Sequence, residues 1–137
     1  MTSLGELARK ILAPYLDTDA DAARAQVEGA ELATGGEAVT SLALVLHELA
    51  TNAAKYGALS LPSGRVRVSW AVTGADLVLT WQESGGPMIK GPPTRQGFGS
   101  MLANRSVKGQ LGGKLTFAWN EGGLLVRLTV PVERLTP

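Results

Sequence analysis

The sequence predicts an α+β domain: a two-layer sandwich in which helices cover one face of a mixed, mainly antiparallel sheet. Three observations carry this. Residues 38–56 hold a long run of good helix formers with apolar positions at helical spacing. Two pairs of alternating segments are each joined by a tight turn, which implies antiparallel neighbours. Helical and extended segments are interspersed along the chain, the pattern of helices packed on one sheet.

The elements follow in order. Leu4, Leu7, Ala8, Ile11, Leu12 and Tyr15 recur at helical spacing, so residues 3–16 read as an amphipathic helix that Pro14 either closes or ends early. Asp17 to Asp21 is polar and reads as a loop. Residues 25–28 and 30–32 read as short extended pieces around Gly29, and Gly35-Gly36 breaks the chain. In the long helix 38–56, Leu42, Val45, Leu46, Leu49, Ala53 and Tyr56 fall on one apolar face at 100° per residue. Leu44, Glu48, Thr51, Asn52 and Lys55 fall on a second face, and Gly57 is a C-terminal stop.

Leu61-Pro62-Ser63-Gly64 is a turn. Val66, Val68, Trp70 and Val72 alternate with Arg65, Arg67, Ser69 and Ala71, the mark of a half-buried strand. Thr73-Gly74-Ala75-Asp76 turns the chain into a second strand, 77–82. Residues 83–100 are rich in glycine and proline and read as a long loop, followed by a shorter helix at about 100–108. Strand 115–119, the turn Glu121-Gly122-Gly123 and strand 124–130 form the last hairpin, with Leu124, Val126, Leu128 and Val130 on one face.

Composition excludes several classes of function. The 137 residues fit one domain, 45% of them hydrophobic and 18% charged. Thirteen Lys and Arg against twelve Asp and Glu leave a net charge of +1, which argues against bulk attraction to nucleic acid or anionic lipid. With no cysteine there is no disulfide, thiolate metal site or cysteine nucleophile. The lone His47 rules out a multi-histidine metal site. No apolar run approaches the roughly 20 residues of a membrane span, and no signal peptide is visible. Cytoplasm is the expected compartment, with no nucleic-acid partner and no direct membrane contact.

Two kinds of feature carry chemistry. Glu48, Asn52 and Lys55 project from one helix face within about a turn of each other. An amide oxygen suits Mg²⁺, a carboxylate accepts a proton or orients a nucleophile, and an ammonium meets phosphate. The same three residues also fit a plain solvated face with helpful charge spacing. The second feature is a pair of glycine clusters. Glu83-Ser84-Gly85-Gly86-Pro87 follows a strand, where a carboxylate can accept a hydrogen bond from an exocyclic amine. Gly97-Phe98-Gly99-Ser100 precedes a helix whose N-terminus favours phosphate. Either cluster alone also fits ordinary turns. The G-x-G at 97–99 is not a dinucleotide fingerprint, and no P-loop is present.

Taken together and in order, these pieces resemble a known family. His47-Glu48-Leu49 followed by Asn52-Ala53-Ala54-Lys55-Tyr56 resembles the N box of the ATPase superfamily of gyrases, heat-shock chaperones, histidine kinases and mismatch-repair proteins. Glu83 to Pro87 resembles its G1 box and Gly97 to Ser100 its G2 box. His47 at the head of the N box and Trp81-Gln82-Glu83 at the G1 box are similar to the HWE subfamily of histidine kinases. The likeness runs over about residues 3–132.

That resemblance implies a Bergerat-type fold and an Mg-ATP site. Asn52 would coordinate Mg²⁺. Glu48 would be the catalytic base or nucleophile-orienting residue, and Lys55 would meet a phosphate. Tyr56, Gly85, Gly86, Gly97, Phe98, Gly99 and Ser100 would complete the nucleotide site. Glu83 would read the adenine amine, where the wider superfamily uses Asp. Residues 88–96 would form a short lid braced by Phe98, and Met101 stands where broader histidine kinases carry a further glycine. His47 points about 100° away from Glu48 on the helical projection. It is expected to be a packed or hydrogen-bonded neighbour rather than the phosphoacceptor. Trp81 shares a face with Leu77 and Leu79 and is expected in the core.

The implied function is donation of the γ-phosphate of ATP to a histidine on a separate dimerisation and phosphoacceptor domain, and indirectly to a response regulator. The chain would be a single catalytic domain, 1–137, lacking that hairpin and any sensor, and unable to autophosphorylate alone. The alternative is a standalone regulator of the same fold that phosphorylates or sequesters a protein partner, as anti-sigma-factor kinases do.

Overall fold

The computed structural model describes residues 2–16, 23–92 and 98–136, the side chains of 98–100 excepted. The expected loop at 17–21 lies outside them.

Thr2–Ser3 forms a short strand, β1, and Leu4–Ile11 forms helix α1. The Ser3 side chain caps α1 by accepting from the Glu6 amide at 3.1 Å. The helix is shorter than its apolar periodicity suggests. Pro14 has no amide proton to continue it, and the chain tightens into a 3₁₀ turn at Ala13–Tyr15. β2 is Ala25–Gly29. The second extended piece is displaced from 30–32 to Ala33–Thr34 (β3), which pairs antiparallel with β1.

Helix α2, Glu37–Lys55, lies across the middle of the fold. Leu42, Val45, Leu46, Leu49 and Ala53 are buried as the projection requires. Tyr56 is not: it is 76% exposed. It is the residue at which the helix ends, with φ −128° and ψ −21°, so 100° per residue no longer describes where its side chain goes.

After a 3₁₀ turn at Ala58–Ser60, strands β4 (Arg65–Thr73) and β5 (Asp76–Ser84) form a hairpin. Thr73 pairs with Asp76, so the turn proper is Gly74-Ala75. β5 runs two residues beyond its expected end, which places Glu83 and Ser84 in the strand rather than in the loop. Val66, Val68 and Trp70 are buried, but Val72 is 49% exposed. The neighbouring strand β2 ends opposite Trp70, leaving the last residues of β4 uncovered on that side.

Helix α3, Phe98–Gly109, follows the glycine-rich segment and begins two residues before its expected start. β6 (Lys114–Asn120) and β7 (Gly123–Pro131) form the final hairpin. The five-stranded sheet has the order β2-β4-β5-β7-β6. Its β2–β4 pair is parallel, with β3 and α2 on the crossover, and its other pairs are antiparallel.

One face of this sheet and the three helices close a single core. Trp81, Leu77, Leu79, Val126, Leu128 and Val130 supply the sheet side; Leu4, Leu42, Leu46 and Val107 supply the helices. The opposite positions on the strands, Arg65, Arg67, Gln82 and Arg127 among them, are exposed. Among the described residues no helix is long and apolar enough to cross a membrane.

Candidate functional site

The spacing of Glu48 and Asn52 becomes a contact. The Asn52 side-chain Nδ2 donates to Glu48 Oε1 at 3.1 Å. Both residues are half-buried and border a shallow crevice whose other walls are Val45 and Leu49 of α2, Ala103 of α3, and Leu115 and Phe117 of β6. Phe117 stacks on Trp119 of the same strand, with ring centres 5.8 Å apart. Apart from Glu48 and Asn52 the walls of the crevice are apolar. Lys55 and Tyr56, farther along α2, are exposed. His47 is exposed too, and its Nδ1 lies 3.4 Å from Thr51 Oγ1. It is a hydrogen-bonded neighbour of the site, though not a packed one.

The end of α2 is fastened to the end of β5. The Gly57 amide closes the helix on the Asn52 and Ala53 carbonyls at 3.0 and 3.1 Å. The next amide, Ala58 N–H, leaves the helix and donates to Glu83 Oε1 at 2.9 Å. The other carboxylate oxygen, Oε2, accepts from the Trp81 indole Nε1 at 2.9 Å. Glu83 is 5% exposed and Trp81 is fully buried. A carboxylate can be buried there because both oxygens are met by N–H donors.

Glycines make the approach possible. A Cβ on Gly57 would stand 2.3 Å from Glu83 Oε1, and one on Gly86 would stand 2.4 Å from the Ala58 α-carbon. The turn between them is tied down from both sides. Ser63 Oγ donates to the Gly85 carbonyl at 2.7 Å. Arg24 donates to the carbonyls of Leu59 at 3.3 Å, Gly64 at 3.2 Å, and Leu61, while its guanidinium lies 5.8 Å from the Tyr15 ring centre.

The predicted residues thus fall into groups. Glu48 and Asn52 meet directly. Glu83, Gly85 and Gly86 are gathered beneath the end of the same helix. Lys55 and Tyr56 stand exposed beyond Asn52 on that helix. Phe98, Gly99 and Ser100 open α3, the helix that carries Ala103 to the crevice; their side chains, together with Gly97 and the lid positions 93–96, lie outside the described residues. Of the lid, Met88 is 74% exposed. Sequence reasoning missed the Ala58 amide, Arg24 and the β6 wall. It placed Trp81 in the core correctly but missed its hydrogen bond. The available signal was spacing: Trp81 and Glu83 are two apart on a strand and therefore share a face.

No protein-family model matches the chain. It is 37% identical over 134 residues to blue-light-activated histidine kinase 1 of Erythrobacter litoralis, an alignment covering 96% of this chain and 36% of that protein. It is 39% identical over 133 residues to a blue-light-activated histidine kinase of Rhizobium johnstonii, covering 94% of this chain and 36% of the relative. The chain therefore spans about a third of the length of these relatives. Among solved structures it is similar to the Erythrobacter litoralis EL346 blue-light activated histidine kinase (TM-score 0.73, 22% identity, 96% of this chain and 41% of that one). It is also similar to the catalytic domain of histidine kinase ThkA (TM-score 0.69, 18% identity, 99% and 96%).

Proposed function

We propose that this chain, a homologue of HWE-type histidine kinases with the Bergerat-type fold of their catalytic domains, binds Mg-ATP and presents the γ-phosphate to a histidine on a separate phosphoacceptor domain. The observation that carries the reading is the Glu48–Asn52 pair at the crevice, on the same helix whose end is fastened to Glu83. One helix thereby joins a phosphate-and-metal end to a base-reading end.

The residues fit the metal. Asn52 turns its Nδ2 to Glu48, and the oxygen at the other end of the amide is a hard ligand of the kind Mg²⁺ takes. Mg²⁺ usually keeps several waters and takes few protein ligands beside the substrate phosphates, so an amide oxygen would serve here as one ligand among waters and phosphate oxygens. When bound, the ion would neutralise charge on the phosphates. Lys55 would add a point charge to a phosphate oxygen. Glu48 would orient the incoming nucleophile or accept its proton. Glu83 would accept a hydrogen bond from the adenine amine. Tyr56, Gly85, Gly86 and the start of α3, with Gly97, Phe98, Gly99 and Ser100, would line the remainder. Phosphoryl transfer asks little covalent chemistry of a protein, so positioning and charge are the main contributions.

The chain alone is expected to bind nucleotide without autophosphorylating. Its one histidine, His47, lies on α2 beside the site rather than on an acceptor helix. Identity to histidine kinases favours a histidine acceptor, and through it a response regulator, over a serine on a partner protein. Calorimetric titration with Mg-ADP tests the reading. Binding at micromolar concentrations that weakens on chelation of the metal is expected. No heat at high micromolar nucleotide would refute it.

A further inference from the structure

Trp70 and Trp81 are both buried, and both place their indole N–H on an acceptor, but on different kinds. Trp70 Nε1 donates to the backbone carbonyl of Ala30 at 2.8 Å. That is the ordinary way a core tryptophan satisfies its donor. Trp81 Nε1 instead donates to Glu83, the one buried carboxylate among the described residues. We propose that Trp81 is a positioning residue for base recognition: its indole N–H, with the Ala58 amide, sets the plane of the Glu83 carboxylate. This deepens the nucleotide-binding reading and rests on it.

The terminal torsion of a glutamate is broad, so an unrestrained carboxylate presents its lone pairs over a wide range of directions. Here the two oxygens are held separately, Oε1 by Ala58 N–H and Oε2 by Trp81 Nε1–H, each at 2.9 Å. Ala58 is fixed by the end of α2, and Trp81 by full burial in the sheet core. A carboxylate offers about four lone-pair sites. Two donors occupy two of them and fix where the others point. A glutamate has one rotatable bond more than an aspartate, so it needs such restraint more. Trp81 is fully buried and acts through Glu83 rather than on the ligand.

Adenine carries a donor where hypoxanthine carries an acceptor, and a carboxylate held in place tells them apart. An exocyclic amine donates to a carboxylate, whereas a carbonyl in the same place repels it. A positioned Glu83 should therefore discriminate, and a loosened one should discriminate less. The test titrates the 137-residue chain and its W81F variant with Mg-ADP and with Mg-IDP. The wild type is expected to prefer ADP. W81F, which keeps an apolar ring and loses the donor, is expected to lose roughly tenfold of that preference, about the worth of one hydrogen bond to a charged group. Mg-IDP affinity should change little. A preference equal to wild type overturns the proposal, and so does an equal fall for both nucleotides, which a merely structural role would cause. If the wild type binds neither nucleotide, the nucleotide reading itself falls and this proposal falls with it. A second measurement does not require W81F to fold. In the ¹⁵N-indole spectrum of the wild type, the Trp81 resonance is identified by elimination from W70F and W119F. It should shift on adding Mg-ADP and shift less with Mg-IDP. A resonance that stays still with both, at saturation, overturns the proposal.

Discussion

Ala58 N–H donates to Glu83 Oε1 at 2.9 Å, so the residue that follows Tyr56 and Gly57 at the end of helix α2 is joined to the buried carboxylate near the end of strand β5. The joint brings the helix that carries Glu48 and Asn52 and the strand that carries Glu83 into one rigid frame. The contact is close enough that Gly57, between the helix and Ala58, has no room for a side chain.

Gly57→Ala should therefore disturb the frame. Its Cβ would stand 2.3 Å from Glu83 Oε1 and 3.1 Å from the Ala53 α-carbon, and the carboxylate cannot retreat without leaving its two donors. A cost of about 1–3 kcal/mol is expected, as for overpacking a filled core. Thermal unfolding should show a drop of several degrees. Gly122→Ala is the control: a Cβ there meets nothing within 4 Å, and its melting temperature should match the wild type.

Arg24 braces the same turn from the opposite side, on the carbonyls of Leu59, Leu61 and Gly64. Arg24→Met keeps an apolar stem and removes every donor. Three carbonyls then lose a charged partner, and a loss of about 1–3 kcal/mol is expected because part of the site faces water. Hydrogen exchange is the sharper readout. Amides at 57–64 should exchange faster than in the wild type, while those of β7 should not. Uniform acceleration across the chain would mean that Arg24 stabilises the whole fold rather than this turn.

The parts of this site legible in the sequence are those with a local period. Glu48 and Asn52 are four apart in a segment whose leucines and alanines announce a helix, so their contact follows from helix geometry alone. Leu124, Val126, Leu128 and Val130 alternate, and all four are buried. What was not legible depends on approach in space. Nothing local says that Ala58 will meet Glu83, that Arg24 will reach across to Leu59, or that β2 will pair parallel with β4. Tyr56 shows the boundary between the two. It keeps the apolar period by count, yet the helix ends there and its ring is exposed.

Asn52→Ala is expected to abolish metal-dependent nucleotide binding. The substitution removes the amide oxygen proposed as the Mg²⁺ ligand and also the Nδ2 donor to Glu48. Calorimetry with Mg-ADP should give no measurable heat at concentrations that saturate the wild type. The variant should melt within a degree or two of it, since Asn52 is only half-buried at the crevice edge. Affinity equal to the wild type would remove Asn52 from the metal site.

Glu48→Gln separates binding from transfer. Glutamine keeps an oxygen that can accept from Asn52 Nδ2, so the orientation of the amide at the crevice is retained. What it loses is the negative charge and the ability to take up a proton. Mg-ADP affinity is accordingly expected to stay within about threefold of the wild type, a difference of less than 1 kcal/mol. Transfer is a different matter. Joined to a dimerisation and phosphoacceptor domain and supplied with radiolabelled ATP, the variant should phosphorylate that histidine roughly 10²–10⁴-fold more slowly, the range spanned by loss of a general base. Normal binding with normal transfer would show that Glu48 serves only to hold Asn52. Lost binding would instead place its charge in the nucleotide site itself, as part of the metal's environment.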